Sequence, residues 1–134
     1  MSTSFPLDGL RVRFAGETDV GRKRTHNEDH LFLPDDERLG IVADGMGGHA
    51  SGEVASKLAV DAMVEFFKAR AEDCQPTWPF NVDRGHRLQV NRLVTGVKLA
   101  NLKVYEAAQQ EAHLHGMGTT LVSIFFLDAC ALVG

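Results

Sequence analysis

The hydrophobic pattern begins at residue 10, where Leu10-Arg-Val-Arg-Phe14 sets apolar against basic side chains at alternate positions. A period of two predicts a strand with one buried and one wet face. Residues 1 to 9, with Pro6 and Gly9 among small polar residues, are expected to form a loose lead-in. Two short apolar runs follow, Leu31-Phe-Leu33 and Leu39-Gly-Ile-Val-Ala43, divided by the polar segment Pro34-Asp-Asp-Glu-Arg38. Runs of that length around a polar turn predict an antiparallel hairpin.

Downstream the period lengthens to that of a helix. From Gly52 to about Ala71 the pairs Val54/Ala55, Leu58/Ala59, Ala62/Met63 and Phe66/Phe67 recur every four residues, opposite Glu53, Lys57, Asp61 and Glu65. Ser51 is the expected N-cap, and Val54 in place of Glu or Gln leaves the capping box incomplete. Residues 72 to 85, containing Pro76, Trp78 and Pro79, predict a breaker-rich connection with Trp78 tucked onto its own domain. A second helix is predicted from about Gly85 to His113. Its apolar face runs through Val90, Leu93, Val94, Val97, Ala100, Val104 and Ala107/Ala108, with Gly96 as a weak point and Gly116 just past its end. Thr119 to Leu127 is β-branched and aromatic and predicts a strand, with Asp128-Ala129 as the turn into a last strand from Cys130 to Gly134. That last run is still apolar at its final residue, as expected of a sequence that stops inside a longer fold. Strands, two long helices and strands again predict an α+β architecture of helices packed on antiparallel sheet.

The length of 134 residues is that of one domain, 1–134, able to bury about two-thirds of its unfolded surface. With 44% hydrophobic residues, 24% charged residues and a net charge of -4, the chain is not expected to bind nucleic acid. No apolar run approaches the roughly 18 residues of a membrane span, and the N-terminus lacks the pattern of a signal peptide, so a cytoplasmic protein with no membrane partner is expected. Cys74 and Cys130 lack metal-ligand spacing and read as reduced thiols.

The candidate chemistry lies at the end of the second apolar run, where Asp44 precedes the glycine-rich Gly45-Met-Gly-Gly-His-Ala-Ser-Gly52. An Asp-Gly pair alone is a turn. The glycines, however, allow sharp turns and close approach of backbone to a ligand. The hairpin would also bring Asp44 beside Glu28 and Asp29, at the start of the preceding run. Three carboxylates converging in a partly dry site repel one another unless a cation or protons neutralise them. Carboxylates with a free carbonyl suit magnesium, manganese or calcium rather than zinc. Arg24, four residues before Glu28, is on its own a solvated charge in the run Arg22-Lys23-Arg24. Beside a hard-metal site its planar fork matches phosphate oxygens and points to phosphoryl chemistry. Glu53 needs no catalytic explanation, because a helix start favours a negative charge. The glycine loop lacks the Gly-Lys-Ser/Thr ending of a nucleotide P-loop.

Thr18-Asp-Val-Gly21 with Arg24-Thr-His-Asn-Glu28-Asp29, then Val42-Ala-Asp44-Gly-Met-Gly-Gly48-His-Ala-Ser-Gly-Glu53-Val-Ala-Ser56, then Gly116-Met-Gly118-Thr-Thr120, resemble three successive motifs of the bacterial metal-dependent protein phosphatases of type 2C. The resemblance spans about residues 16 to 134 and implies a sandwich of two antiparallel sheets flanked by helix pairs, of which about half is present. It further implies hydrolysis of phosphoserine and phosphothreonine in proteins by water activated between two Mn2+ or Mg2+ ions, with a serine/threonine kinase as the opposing partner. Carried over position by position, Asp44 bridges the metals, the Gly45 carbonyl ligates one, Glu28 and Asp29 act mainly through waters, and Arg24 holds the phosphate. Eukaryotic members have a histidine, often assigned as general acid, where this chain has Met46, so that role is not carried over. The family's later Asp-Ser-Arg motif and metal-binding aspartates lie beyond Gly134, so the chain alone is expected to be inactive. Two other functions fit the residues: a non-catalytic regulatory or binding module on the same fold, and a phosphate- or nucleotide-binding protein using the glycine loop.

Overall fold

The computed structural model describes residues 1–48, 51–71, 88–127 and 130–134. Strands β1 (Ser2–Leu7), β2 (Leu10–Ala15), β3 (Asp29–Phe32) and β4 (Leu39–Met46) are followed by helices α1 (Ser51–Ala71) and α2 (Leu88–Gln110). A single 3-10 turn at Ala112–Leu114 leads to β5 (Gly118–Thr119), β6 (Val122–Phe126) and β7 (Ala131–Val133). The connection around Trp78, Cys74, the start of the second helix near Gly85 and the Asp128-Ala129 turn lie outside the described residues.

The lead-in is not loose. β1 pairs antiparallel with β2, Leu7 opposite Leu10, across the two-residue turn Asp8-Gly9. Both turn residues have positive φ, 45° and 77°, as a type I′ hairpin turn requires. Asp-Gly is the local signal that outweighs the missing period in residues 1 to 9. Phe14 and Phe5 stack at 6.3 Å, and both meet the edge of Phe126, at 5.3 and 5.7 Å. These rings dock the hairpin on β6.

The predicted β3–β4 hairpin forms, and the main sheet has the order β3-β4-β6-β7, all neighbours antiparallel, with β5 extending the pairing of β4. Alternation along β4 sends Leu39, Ile41 and Ala43 to one face, where Val60, Met63 and Phe67 of α1, Leu93 of α2 and Phe125 complete a buried core. Phe67 has no solvent exposure and meets Phe125 edge-on at 5.1 Å. Truncating such a side chain to alanine costs about 3–5 kcal/mol. On α2 the buried stripe runs through Leu93, Thr95, Gly96, Ala100, Val104 and Ala108, whereas Val94, expected inside, is exposed. Gly96 is not a weak point but a contact, since a methyl group there would stand 3.2 Å from the Phe67 ring and 3.3 Å from Met63. It lets the two helices approach closely.

The opposite face of the sheet is apolar and open. Val42, Val122 and Val133 are 59%, 59% and 71% exposed there. The architecture is α+β as expected: two helices on one face of an antiparallel sheet, with a small hairpin at its end. Among the described residues no helix is long and apolar enough to cross a membrane.

Candidate functional site

The hairpin register sets Asp29 directly opposite Asp44. Opposed residues of an antiparallel pair have Cβ atoms about 4.5–5.5 Å apart, so two carboxylates face each other there. Both are exposed at the end of the sheet. Loss of hydration, then the charge and a side-chain hydrogen bond of Asp44, hold the Asp29 carboxyl above its ordinary value. Glu28 adds to that rise and Arg24 opposes it.

Strand β4 does not end at Asp44, as the glycines suggested, but runs on to Met46. Gly45 serves close approach rather than a turn: an added Cβ would collide with the Gly52 carbonyl and lie 2.7 Å from the Glu28 carbonyl oxygen. The Gly45 N–H donates to that Glu28 carbonyl at 3.0 Å. Residues 49–50 of the glycine loop lie outside the described residues. Ser51, expected to cap α1 by accepting from its N–H groups, is instead the first helical residue, and its hydroxyl donates back to the Gly48 carbonyl at 2.5 Å.

The expected convergence of three carboxylates is reduced to a pair. Glu28 turns its carboxylate over the start of α1, where a methyl on Gly52 would stand 2.6 Å from Glu28 Oε1. Helix starts favour that charge. Arg24, expected at the phosphate, lies 3.6 Å from the Glu28 carboxylate, with its own side chain 67% exposed. Held at 3.6 Å by a mostly exposed side chain, the guanidinium stays available to another anion. Among the described residues no three His, Cys, Asp or Glu side chains gather closely enough to hold a metal ion. What is present, two opposed carboxylates beside backbone carbonyls, fits part of the oxygen shell of a hard divalent cation.

Two residues that position this corner were not singled out by sequence reasoning. Asn27 accepts from the Asp29 N–H at 3.1 Å and donates to Thr18 Oγ1 at 2.9 Å, closing the segment that carries Arg24. The spacing of two residues is that of an Asx turn and was a local signal. Thr120 has no local signal. Gly45 pairs with Thr119 and Val42 with Val122 in one register, so Thr120 falls opposite Asp44. Its N–H donates to the Asp44 carbonyl at 2.9 Å, while its hydroxyl accepts from the Asp44 N–H at 3.2 Å. The hydroxyl takes a place in the ladder that a carbonyl would hold. The expected continuous strand from Thr119 to Leu127 is therefore interrupted at residues 120–121.

The family model for protein phosphatase 2C matches residues 19–134. The serine/threonine protein phosphatase PstP of Mycobacterium tuberculosis is 38% identical over 117 residues, covering 87% of this chain and 20% of that protein. The serine/threonine phosphatase stp of Listeria monocytogenes is 37% identical over 124 residues, covering 87% of this chain and 43% of that protein. The chain thus spans less than half the length of either relative. The crystal structure of the Mycobacterium tuberculosis phosphatase PstP superimposes with a TM-score of 0.62, at 34% identity over 82% of this chain and 40% of that one. The catalytic domain of PstP in complex with two manganese ions superimposes with a TM-score of 0.61, at 35% identity over 83% of this chain and 41% of that one. By the extent of these matches, the chain belongs to the protein phosphatase 2C family.

Proposed function

We propose that this chain is the N-terminal part of a catalytic domain that hydrolyses phosphoserine and phosphothreonine in proteins with the help of Mn2+ or Mg2+. The observation that carries the reading is the Asp29–Asp44 pair: two like charges held face to face at an exposed strand end, with the nearby guanidinium on Glu28 rather than between them. Such a pair is stabilised by a cation. Asp44 and the Gly45 carbonyl would hold the metal with the help of Asp29 and Glu28, and Arg24, leaving its weak contact with Glu28, would bind the substrate phosphate. A bound divalent ion supplies Lewis acidity to water and to the phosphoryl oxygens. Thr120 and Asn27 fix the backbone at Asp44 and Asp29, so that only the two side chains remain to be ordered on binding. The phosphoryl group passes directly to water as the ester P–O bond breaks, with no phosphorylated enzyme. A serine/threonine kinase makes the substrates.

Two direct ligands do not fix a pair of ions, so residues beyond the 134 are needed for turnover. The test compares the 134-residue chain, alone and joined to the downstream half of the domain, on a phosphothreonine peptide with millimolar manganese. The joined form is expected to hydrolyse the peptide and to stop on chelation, while the chain alone stays silent. Comparable turnover by the chain alone would refute the missing-ligand reading. A second reading, a non-catalytic binding module, is favoured by the pairing of only two carboxylates among the described residues. Silence of both preparations would leave that module in place of the enzyme.

A further inference from the structure

Beside the acidic corner lies a groove of about 540 Å3 between the second half of α2 and the segment 115–121, with Met46 of β4 on its wall. It has the size of a ligand site rather than of a packing defect. Its buried lining combines three alanines, Ala59, Ala100 and Ala108, with Val104 and Met117, and the small side chains leave space open. Asn101, Tyr105 and Gln109 follow at intervals of four along α2 and line one side, all exposed. Among the described residues no Asp, Glu, Lys or Arg lines it, and His115 is the one titratable side chain besides Tyr105. The groove therefore suits an apolar body carried on a backbone that needs hydrogen-bond partners.

Its position relates it to Asp44. Met46 and Asp44 both emerge on the exposed face of β4, two residues apart. At about 3.3 Å per residue, Met46 stands about 7 Å along the strand from Asp44. The Met46 side chain lies along Gly118, where a Cβ would be 2.9 Å from its terminal methyl. A thioether wall adapts to whatever packs against it. An extended peptide advances about 3.3–3.6 Å per residue, so two residues cover the distance from Asp44 to Met46 and a third reaches the groove.

We propose that this groove receives an apolar side chain of the phosphoprotein substrate, two or three residues from the phosphorylated serine or threonine, while Asn101, Tyr105 and Gln109 hydrogen-bond the peptide backbone. The proposal rests on the reading of the acidic corner as the phosphate site. The test uses whichever preparation hydrolyses the phosphothreonine peptide in the preceding assay. Phosphothreonine peptides that are otherwise alanine carry one leucine, stepped from four residues before to four after the phosphoresidue. Leucine two or three residues away on one side should raise kcat/KM about tenfold over alanine, mainly through KM. Ala108→Leu, which fills the floor, and Tyr105→Ala, at an exposed position that leaves the core untouched, should both bring that ratio back toward one. A ratio near one at every position, or a preference that survives both variants, would overturn the groove while leaving the phosphatase intact. Absence of hydrolysis of every peptide by either preparation would instead bring down the phosphatase reading and the groove with it.

Discussion

Two charged clusters in this molecule are built in opposite ways. Arg92 of α2 donates to Glu37 at 3.2 Å and to the Phe67 carbonyl at 2.6 Å, and its guanidinium lies 4.4 Å from the Phe67 ring centre and 5.5 Å from that of Phe125. The side chains of Arg92 and Glu37 are only 14% and 17% exposed. Burial lowers the Arg92 pKa and the Glu37 charge opposes the shift, so much of the cost is offset within the cluster, although Arg92 Nε has no hydrogen-bond partner among the described residues. The Asp29–Asp44 pair is exposed and like-charged, and among the described residues the nearby Arg24 pairs with Glu28 instead. Its backbone is nonetheless fixed by Thr120, Asn27 and the contacts of Gly45. The buried charge is paired within the fold, whereas the exposed like-charged pair is held in place in the way the proposed metal site requires.

The contrast can be broken at its strongest point first. Gly45→Ala drives a methyl into backbone of Gly52 and Glu28, neither of which has a flexible end to yield. It should cost about 3 kcal/mol, seen as a lower urea midpoint. Arg92→Met keeps much of the packing against the rings and leaves Glu37 and the Phe67 carbonyl without their donor. A loss of about 2 kcal/mol is expected, with divalent-metal affinity unchanged. A shift in metal affinity as large as the shift in stability would mean that the two clusters are not separate. Thr120→Val keeps the shape and leaves the Asp44 N–H without its hydroxyl acceptor. About 1 kcal/mol should be lost, with a clear change of the Asp44 amide resonance.

The smallest effect is that of pH. Because the Asp29 carboxyl is held above its ordinary value, its protonated form is favoured in the fold. Its stabilising contribution is present below the ordinary carboxylate value of 3.8 and is lost as pH rises through the raised one. In metal-free buffer, wild type minus Asp29→Asn stability should therefore fall with rising pH across the carboxylate range. Magnesium should reverse the sign of that difference. A difference that rises with pH without metal would contradict the repulsive pairing.

Much of this was legible in the sequence, for reasons that differ by region. The β3–β4 hairpin followed from two apolar runs around a polar turn, and the strand period alone then brought Asp29 opposite Asp44. Most of the α1 face was equally plain, because apolar pairs repeat every four residues, although Val54 is exposed and Val60, outside those pairs, is buried. The direction of Glu28 was not legible, since it depends on where the start of α1 comes to lie in space. Nor was the role of Thr120, whose partner is 76 residues away and whose hydroxyl replaces a backbone acceptor. β1 is not legible from a period in residues 1 to 9; its one local signal is the Asp8-Gly9 turn. Gly96 was misjudged by intrinsic helix preference, which is overridden where a neighbouring helix needs the space.

The central claim is that Asp44 belongs to a metal and Arg24 to a phosphate. Calorimetric titration of manganese into the form of the protein that hydrolyses phosphothreonine, and into its Asp44→Asn and Arg24→Ala variants, tests it most directly. Asp44→Asn should weaken metal binding by at least about tenfold, or about 1.4 kcal/mol, while Arg24→Ala leaves metal affinity nearly unchanged and raises KM for the phosphopeptide. Equal loss of metal affinity in the two variants, or none in Asp44→Asn, would contradict the account.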